Sequence, residues 1–291
     1  METFYKSEIG KREILKLYDQ KLAALKIDCL AKDIETSFGT THVLIRGNAS
    51  KPPLVLVHGS NGCAPIALET YSGLEKHFQI FAIDVLAQPN KSAATRLSMK
   101  NEAYGQWLHE VIDSLNLKNV RLAGFSFGGL VIFKALEYEE LHIKEVFLSA
   151  PAYIVNGNPL KALFKVFIPM KRYMLSKNKK YVRAFLKELF TEKDTFAVDF
   201  LSKVFLHFKM DFTPVPVIKT ESAKNIKTPI TLIAAKNDLL FPGEKMIKRA
   251  KKIFPSLKHI LLLENSKHVQ NSLDNKRIVQ VIIDSKLNEI S

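Results

Sequence analysis

Cysteine is scarce in this sequence, which contains only Cys29 and Cys63 in 291 residues. Two cysteines do not suggest a disulfide framework, so the sequence is not typical of a small secreted domain. Cys63 follows a glycine-bearing loop. We expect it to be a small packing residue, because a buried free cysteine behaves as a small hydrophobe.

Long apolar stretches are also missing. No run reaches the roughly 18 apolar residues of a membrane-spanning helix. Residues 1–6 lack the hydrophobic core of a signal peptide. Together with the low cysteine content, these absences predict a cytoplasmic protein with no integral membrane segment.

Short motifs for metals and nucleotides are absent as well. The sequence has no H-E-x-x-H, C-x-x-C or Walker pattern, and it has no nucleic-acid-binding motif. We therefore expect no metal, no organic cofactor and no nucleic-acid partner.

The sequence does contain a regular alternation of strand-like and helix-like segments. With 47% hydrophobic residues, the chain can bury a large single-domain core. Apolar runs predict a hairpin of strands at 33–38 and 41–46, and further strands at 54–57, 79–84, 119–123, 145–149, 229–235 and 259–263. Helical patterns lie at 7–25, 102–115, 130–140 and 243–253. This alternation indicates a mainly parallel sheet with helices on both faces.

One motif in this pattern carries chemistry. The G-x-S-x-G stretch at 124–128 follows the strand at 119–123 and opens a helix-like segment. A serine on a sharp strand-to-helix turn is typical of an activated nucleophile. Gly124 and Gly128 have no Cβ atoms, so the two backbones can approach closely. The helix N-terminus favours negative charge beside the serine. Ser126 is therefore the candidate nucleophile.

The acid and the base that activate such a serine follow it in the order Ser, Asp/Glu, His. Asp238 lies just past the strand at 229–235, and His268 lies in the loop after the strand at 259–263. The carboxyl ends of parallel strands are where open sheets carry their sites. His259 begins its strand and belongs to the opposite edge, while Asp274 follows the histidine and starts a final helix. Asp238 and His268 are therefore the candidate acid and base.

These motifs together resemble an α/β-hydrolase-fold serine hydrolase over nearly the whole chain. The chain is further similar to small bacterial carboxylesterases, which carry T-x-x-G-x-T-H-V-L and D-V-L-G stretches. Here these stretches read Ser37–Leu44 and Asp84–Ala87, with Ala87 at the usual glycine. The resemblance implies a central, mainly parallel sheet flanked by helices and a helical cap inserted before the strand that carries the acid.

The resemblance also implies an oxyanion hole made of two backbone N–H groups. One comes from the loop after the strand at 54–57, at Ser60, and the other from Phe127, which follows the nucleophile. His58 stands beside Gly59 in the first of these loops. We expect it to brace the loop, because it precedes the nucleophile in the chain.

Residues 153–228 show no buried-strand pattern and are predicted to form the cap. The core is then 1–152 together with 229–291. Most of the phenylalanines that recur in the cap with helical spacing are expected to form its core, and a minority to line the substrate pocket. They are Phe164, Phe167, Phe185, Phe190, Phe196, Phe200, Phe205 and Phe208.

The same cap segment concentrates the positive charge of a chain whose formal net charge is +14. A solvated helix face is the favoured interpretation of this charge, and an anionic substrate or membrane surface is the alternative. The basic residues are Lys161, Lys165, Lys171, Arg172, Lys177, Lys179 and Lys180.

The sequence therefore predicts a serine hydrolase that cleaves a small, apolar carboxylic ester through an acyl-enzyme. Hydrolysis of a carbon–carbon bond, thioester, lactone or amide by the same three residues stays open, because fold does not select among these reactions. A hydrolase-like protein that binds a ligand without turning it over is the alternative from another class.

Overall fold

A computed structural model describes residues 3–287 of the chain. Eight strands form one sheet in this part of the protein. The strands are β1 (Leu30–Ile34), β2 (Thr41–Arg46), β3 (Pro53–Val57), β4 (Gln79–Ile83), β5 (Val120–Phe125), β6 (Ile143–Ser149), β7 (Ile230–Ala235) and β8 (Leu257–Leu263). Their order in the sheet is β1-β2-β4-β3-β5-β6-β7-β8. Only β1 with β2 and β2 with β4 pair antiparallel, which confirms the mainly parallel sheet.

Helices connect the strands and cover the sheet. They are α1 (Glu8–Ala24), α2 (Ala64–Thr70), α3 (Ala103–Ser114), α4 (Phe127–Tyr138), α5 (Pro159–Ala162), α6 (Ile168–Ser176), α7 (Lys180–Leu189), α8 (Thr195–His207), α9 (Thr220–Asn225), α10 (Gly243–Ile253) and α11 (Ser272–Leu287). A 3₁₀ turn spans Leu74–Lys76, and a π-helical stretch, Leu163–Phe167, joins α5 to α6. Within residues 3–287, no helix is both long and apolar enough to cross a membrane.

The central strands are buried on both faces. Alternate side chains of β3 enter two different clusters of the core, with Val55 and Val57 in one and Leu54 and Leu56 in the other. Successive side chains of a strand point to opposite faces of the sheet. The two clusters are therefore the two layers between the sheet and its helices, as in parallel sheets generally.

The edge strand β1 lies earlier in the chain than predicted. The sequence pattern placed a strand at 33–38, but the strand ends at Ile34 and a turn follows. In this turn Thr36 Oγ1 donates to the carbonyl of Gly39 and accepts from the N–H of Phe38. Gly39 has a φ of +113°. Threonine and glycine favour such a turn over a strand. Residues 30–33 are exposed, so their sequence lacks the alternation of apolar and polar residues that would predict a strand.

The segment before β1 is attached to the segment between β6 and β7. Helix α1 packs on α8, where a Cβ on Gly10 would lie 2.5 Å from the Cβ of His207. The N–H of Lys6 donates to the carbonyl of His207, and the N–H of Lys209 donates to the carbonyl of Phe4. Residues 4–6 thus form part of the same layer as α8.

The residues between β6 and β7 form five short helices, α5 to α9, with no named strand. Most of the eight phenylalanines here were expected to form a core, and four are buried, namely Phe185, Phe200, Phe205 and Phe208. Phe164 and Phe167 instead point to solvent, with exposed fractions of 64% and 38%. This second, outward apolar face was not predicted.

Candidate active site

Ser126 lies on a strained turn between β5 and α4. Its φ of 53° and ψ of −113° are costly for a residue with a side chain, by about 1–3 kcal/mol. Three backbone hydrogen bonds hold it there. Its N–H donates to the carbonyl of Ser149 at 3.0 Å, and its carbonyl accepts from the N–H groups of Gly129 and Ala152, both at 2.9 Å. The residues at the end of β6 therefore hold the nucleophile turn in place.

The glycines of the motif are required by close backbone contacts. A Cβ on Gly128 would lie 2.1 Å from the carbonyl oxygen of Val57, at the end of β3. A Cβ on Gly124 would lie 2.6 Å from the side chain of Ile132 and 2.8 Å from the carbonyl of Gly128. Helix α4 can therefore approach β3 and β5 only because both positions lack a side chain.

The structure brings the three predicted side chains together in a hydrogen-bonded chain. Ser126 Oγ lies 2.9 Å from His268 Nε2, and His268 Nδ1 lies 2.8 Å from Asp238 Oδ2. The other carboxylate oxygen, Asp238 Oδ1, accepts from the N–H groups of Leu240 and Phe241 at 2.7 and 3.0 Å. Since the carboxylate only accepts hydrogen bonds, His268 Nδ1 carries the proton and Nε2 is free to accept from Ser126.

Apolar rings enclose the histidine of this chain. The rings of Phe125 and Phe241 lie with their centroids 5.1 and 5.5 Å from that of His268. The side chains of His268 and Asp238 are 6% and 0% exposed, so water has little access to their hydrogen bond. A low local dielectric strengthens the attraction between a carboxylate and an imidazolium.

The two competing residues lie elsewhere. His259 is exposed and pairs with Thr231 near the start of β8. Asp274 is buried and bonded to Ser266 Oγ and to Arg277 instead of to His268. Asp274 therefore stabilises the loop before His268 through Ser266 and does not orient the imidazole itself.

The two predicted oxyanion-hole N–H groups belong to residues near the nucleophile. Phe127 is the first residue of α4, and Ser60 follows Gly59 in the loop after β3. This loop touches the nucleophile, because a Cβ on Gly59 would lie 3.3 Å from the Cβ of Ser126. Neither N–H makes a hydrogen bond to another group within residues 3–287. Both therefore stay predicted donors to an anionic oxygen.

His58 occupies the interior beneath this loop. Its Nδ1 donates to the carbonyl of Gly59 at 2.8 Å, and its Nε2 accepts from the N–H of Val85 at 3.0 Å and from Asn90 Nδ2 at 3.2 Å. Burial lowers the pKa of His58 to about 4. The histidine is therefore neutral at pH 7 and braces the loop.

A second support for this loop was missed in the sequence. Gln88 Oε1 accepts from the N–H of Asn61 at 2.7 Å, and the carboxylate of Asp84 accepts from the N–H groups of Ala64 and Lys91. Ala87 has a φ of 55°, in the region that favours glycine. Ala87 occupies the position where the related D-V-L-G stretch has glycine. In the sequence, this was the only indication of an unusual backbone conformation in the segment.

Comparison with known proteins agrees with this fold. The family described as the alpha/beta hydrolase fold matches residues 52–169. The chain is 23% identical to the uncharacterized carboxylesterase nap of Bacillus subtilis (strain 168) over 286 residues, covering 90% of each protein. It is 29% identical to carboxylesterase YbfK of the same organism over 135 residues, 46% of each protein.

Solved structures agree over most of the chain. The naproxen esterase of Bacillus subtilis superposes with a TM-score of 0.80 at 21% identity, covering 95% of this chain and 99% of that one. Carboxylesterase CesB (YbfK) of Bacillus subtilis superposes with a TM-score of 0.77 at 21% identity, covering 94% of this chain and 98% of that one. The chain is an α/β-hydrolase-fold protein, and it resembles bacterial carboxylesterases as its motifs predicted.

The buried His58 makes the stability of the protein depend on pH. Its pKa is about 4 when folded and about 6.5 when unfolded, so the folded state cannot take up the proton that the unfolded state binds between these values. The free energy of unfolding therefore does not depend on His58 protonation above pH ~6.5. It decreases by about 3 kcal/mol in total as the pH falls from there towards 4.

We therefore expect His58→Gln to flatten the pH dependence of the unfolding free energy between pH 4 and 6.5, measured by urea titration at each pH. The matched control is His259→Gln, which removes an exposed histidine and should leave the pH dependence as in the wild type. An unchanged slope in His58→Gln would contradict the prediction.

Proposed function

We propose that the protein is a serine hydrolase that cleaves carboxylic esters through an acyl-enzyme intermediate. The observation that carries this proposal is the hydrogen-bonded chain from Ser126 Oγ through His268 to Asp238. In this proposal Ser126 is the nucleophile, His268 is the general base and then the general acid, and Asp238 orients the imidazole.

The first half of the reaction forms the acyl-enzyme. His268 Nε2 takes the proton of Ser126 as the serine oxygen attacks the ester carbonyl carbon. The carbonyl oxygen becomes anionic and accepts hydrogen bonds from the N–H groups of Ser60 and Phe127, next to the positive end of α4. When the tetrahedral intermediate collapses, the imidazolium returns its proton to the departing alcohol.

The second half releases the acid. A water molecule gives its proton to His268 Nε2 and attacks the acyl carbon, and the same two N–H groups stabilise the second oxyanion. The imidazolium then protonates Ser126 Oγ as the acyl bond breaks. Asp238 stabilises the imidazolium in both halves without taking its proton. None of these steps requires a metal or an organic cofactor.

The proposed substrate is a small ester with an apolar group. Phe125 and Phe241 supply apolar walls next to His268, and ligand sites are predominantly apolar. The relatives named as carboxylesterases support the ester over the other bond types, and residues 153–228 are proposed as the cap above the site. A panel of p-nitrophenyl esters with matched thioesters and amides tests this choice. The ester should have the highest kcat/KM.

Ser126→Ala should lower kcat on p-nitrophenyl esters by about 10⁴-fold or more, because it removes the attacking oxygen. It should also abolish covalent labelling by a fluorophosphonate probe. Ser72→Ala, at an exposed serine on the surface, is the matched control and should behave as the wild type. Labelled Ser126→Ala protein, or a turnover above a tenth of the wild-type value, would rule out this nucleophile.

Asp238→Asn should also lower kcat by about 10⁴-fold, by reversing the histidine tautomer. The N–H groups of Leu240 and Phe241 require an acceptor at the Oδ1 position, so the asparagine must present its NH₂ to His268 Nδ1. His268 Nε2 then carries the proton and cannot accept from Ser126.

Substrate binding should change little in Asp238→Asn, so KM and the melting temperature are measured beside kcat. A conformationally intact variant with nearly wild-type kcat would overturn the role assigned to Asp238.

A further inference from the structure

Several exposed apolar side chains lie close together in the chain, on α5, α6 and the π-helical stretch between them. Of the thirteen large apolar side chains exposed within residues 3–287, five lie between positions 160 and 175. They are Leu160, Leu163, Phe164, Phe167 and Leu175, and we call them the apolar row. Phe212 adds to it through a ring contact with Phe167, at 6.0 Å between centroids. Clustered exposed apolar groups mark interaction sites, whereas scattered ones do not.

The apolar row is not needed to fold the helices that carry it. Val166, Met170 and Tyr173 are buried and already pack this segment against the rest of the protein. The row faces the other way, with Phe164 64% and Leu175 86% exposed. These helices therefore have two apolar faces, one for the core and one for solvent.

Uncompensated positive charge surrounds the apolar row. Residues 159–180 contain seven lysines and arginines and no aspartate or glutamate. Lys165 pairs with Glu188 and Lys179 with Asp199. The other five make no ion pair within residues 3–287, and they are Lys161, Lys171, Arg172, Lys177 and Lys180.

We propose that this surface docks the protein on a bilayer of anionic lipid. Apolar side chains enter the boundary between head groups and acyl chains, while lysines and arginines attract the anionic head groups. A nucleic acid would account for the unpaired charges but not for the exposed Phe164 and Leu175. The formal net charge of +14 adds long-range attraction to the same surface. Docking is independent of the reaction proposed above.

Co-sedimentation of the whole protein with vesicles tests the proposal. We expect binding to vesicles of phosphatidylcholine with phosphatidylglycerol, weak binding to phosphatidylcholine alone, and a loss of at least tenfold in affinity in high salt, because salt screens exposed charges. Lys171→Gln with Arg172→Gln should weaken binding by about 25-fold, at about fivefold for each charge. Phe164→Gln with Leu175→Gln should weaken it at both salt concentrations.

Matched controls carry the same chemical changes elsewhere. Lys251→Gln with Lys252→Gln on α10, and Leu141→Gln at another exposed leucine, should bind as the wild type. The proposal is overturned by equal binding to both kinds of vesicle, by no binding at all, or by equal losses in the controls. A single-stranded oligonucleotide that binds as tightly as the vesicles, with no effect of Phe164→Gln and Leu175→Gln, also overturns it.

A different observation concerns the loop that carries His268. The hydroxyl of Thr191, just after α7, bonds both neighbours of the histidine. Its Oγ1 accepts from the N–H of Lys267 at 2.9 Å and donates to the carbonyl of Val269 at 2.7 Å. The N–H of Thr191 also donates to the carbonyl of Val269, and the N–H of Val269 donates to the carbonyl of Leu189. One threonine thus holds the peptide groups on either side of His268.

We infer that Thr191 is a positioning residue for His268, an inference that rests on the proposed function. The hydroxyl acts through the loop backbone and does not touch the reacting atoms. Small displacements of a catalytic group reduce the rate far more than they reduce binding. The residues between β6 and β7 therefore set the position of the base.

Thr191→Val removes the hydroxyl and keeps the shape of the side chain, while Thr191→Ser keeps the hydroxyl. We expect Thr191→Val to lower kcat by at least tenfold at unchanged KM and to shift the acid limb of the kcat profile against pH, and Thr191→Ser to restore both. Equal kcat and pH profiles in Thr191→Val and the wild type would overturn the inference. An inactive wild type would instead contradict the proposed function.

Discussion

The close approach of Gly128 to the carbonyl of Val57, which leaves no room for a Cβ, is the steric constraint on which the site depends. It lets α4 begin directly against the end of β3, next to the turn that holds Ser126 in its costly conformation. The same approach places the loop after β3 beside the nucleophile and directs the N-terminus of α4 at the same point. The strained turn and the close packing of α4 therefore occur together. The backbone hydrogen bonds of Ser126 with Ser149, Gly129 and Ala152 hold the turn in place.

Two buried histidines near the nucleophile have opposite tasks because their partners differ. The Nδ1 of His268 faces a carboxylate, which stabilises a proton on the ring. The Nδ1 of His58 faces a backbone carbonyl, and its Nε2 accepts from an N–H, so a second proton would find no acceptor. Burial lowers the pKa of His58 to about 4. Hydrogen-bond direction thus separates a candidate base from a structural brace.

The sequence was most informative where sterics or sheet topology restrict which residues can occupy a position. Ser126, Asp238 and His268 each follow a buried strand, and the carboxyl ends of parallel strands meet at one edge. Strand β1 was misplaced because an exposed edge strand has no apolar alternation. The outward position of Phe164 was not predicted, because helical spacing does not distinguish an inner from an outer apolar face. Thr191 gave no signal, since its contacts with the histidine loop are set by tertiary structure alone.

The pairing of residues 4–6 with residues 207–209 has a consequence for the order of folding during synthesis. Tyr5 lies in a bridge with Phe208, and its hydroxyl donates to the carbonyl of Asn90. Residues 4–6 must therefore wait for partners that leave the ribosome about 200 residues later, roughly 10–40 s at usual elongation rates. Helix α1 has its partner α8 equally late. Residues 4–24 can thus complete their layer only after six of the eight strands, β1 to β6, have been synthesised.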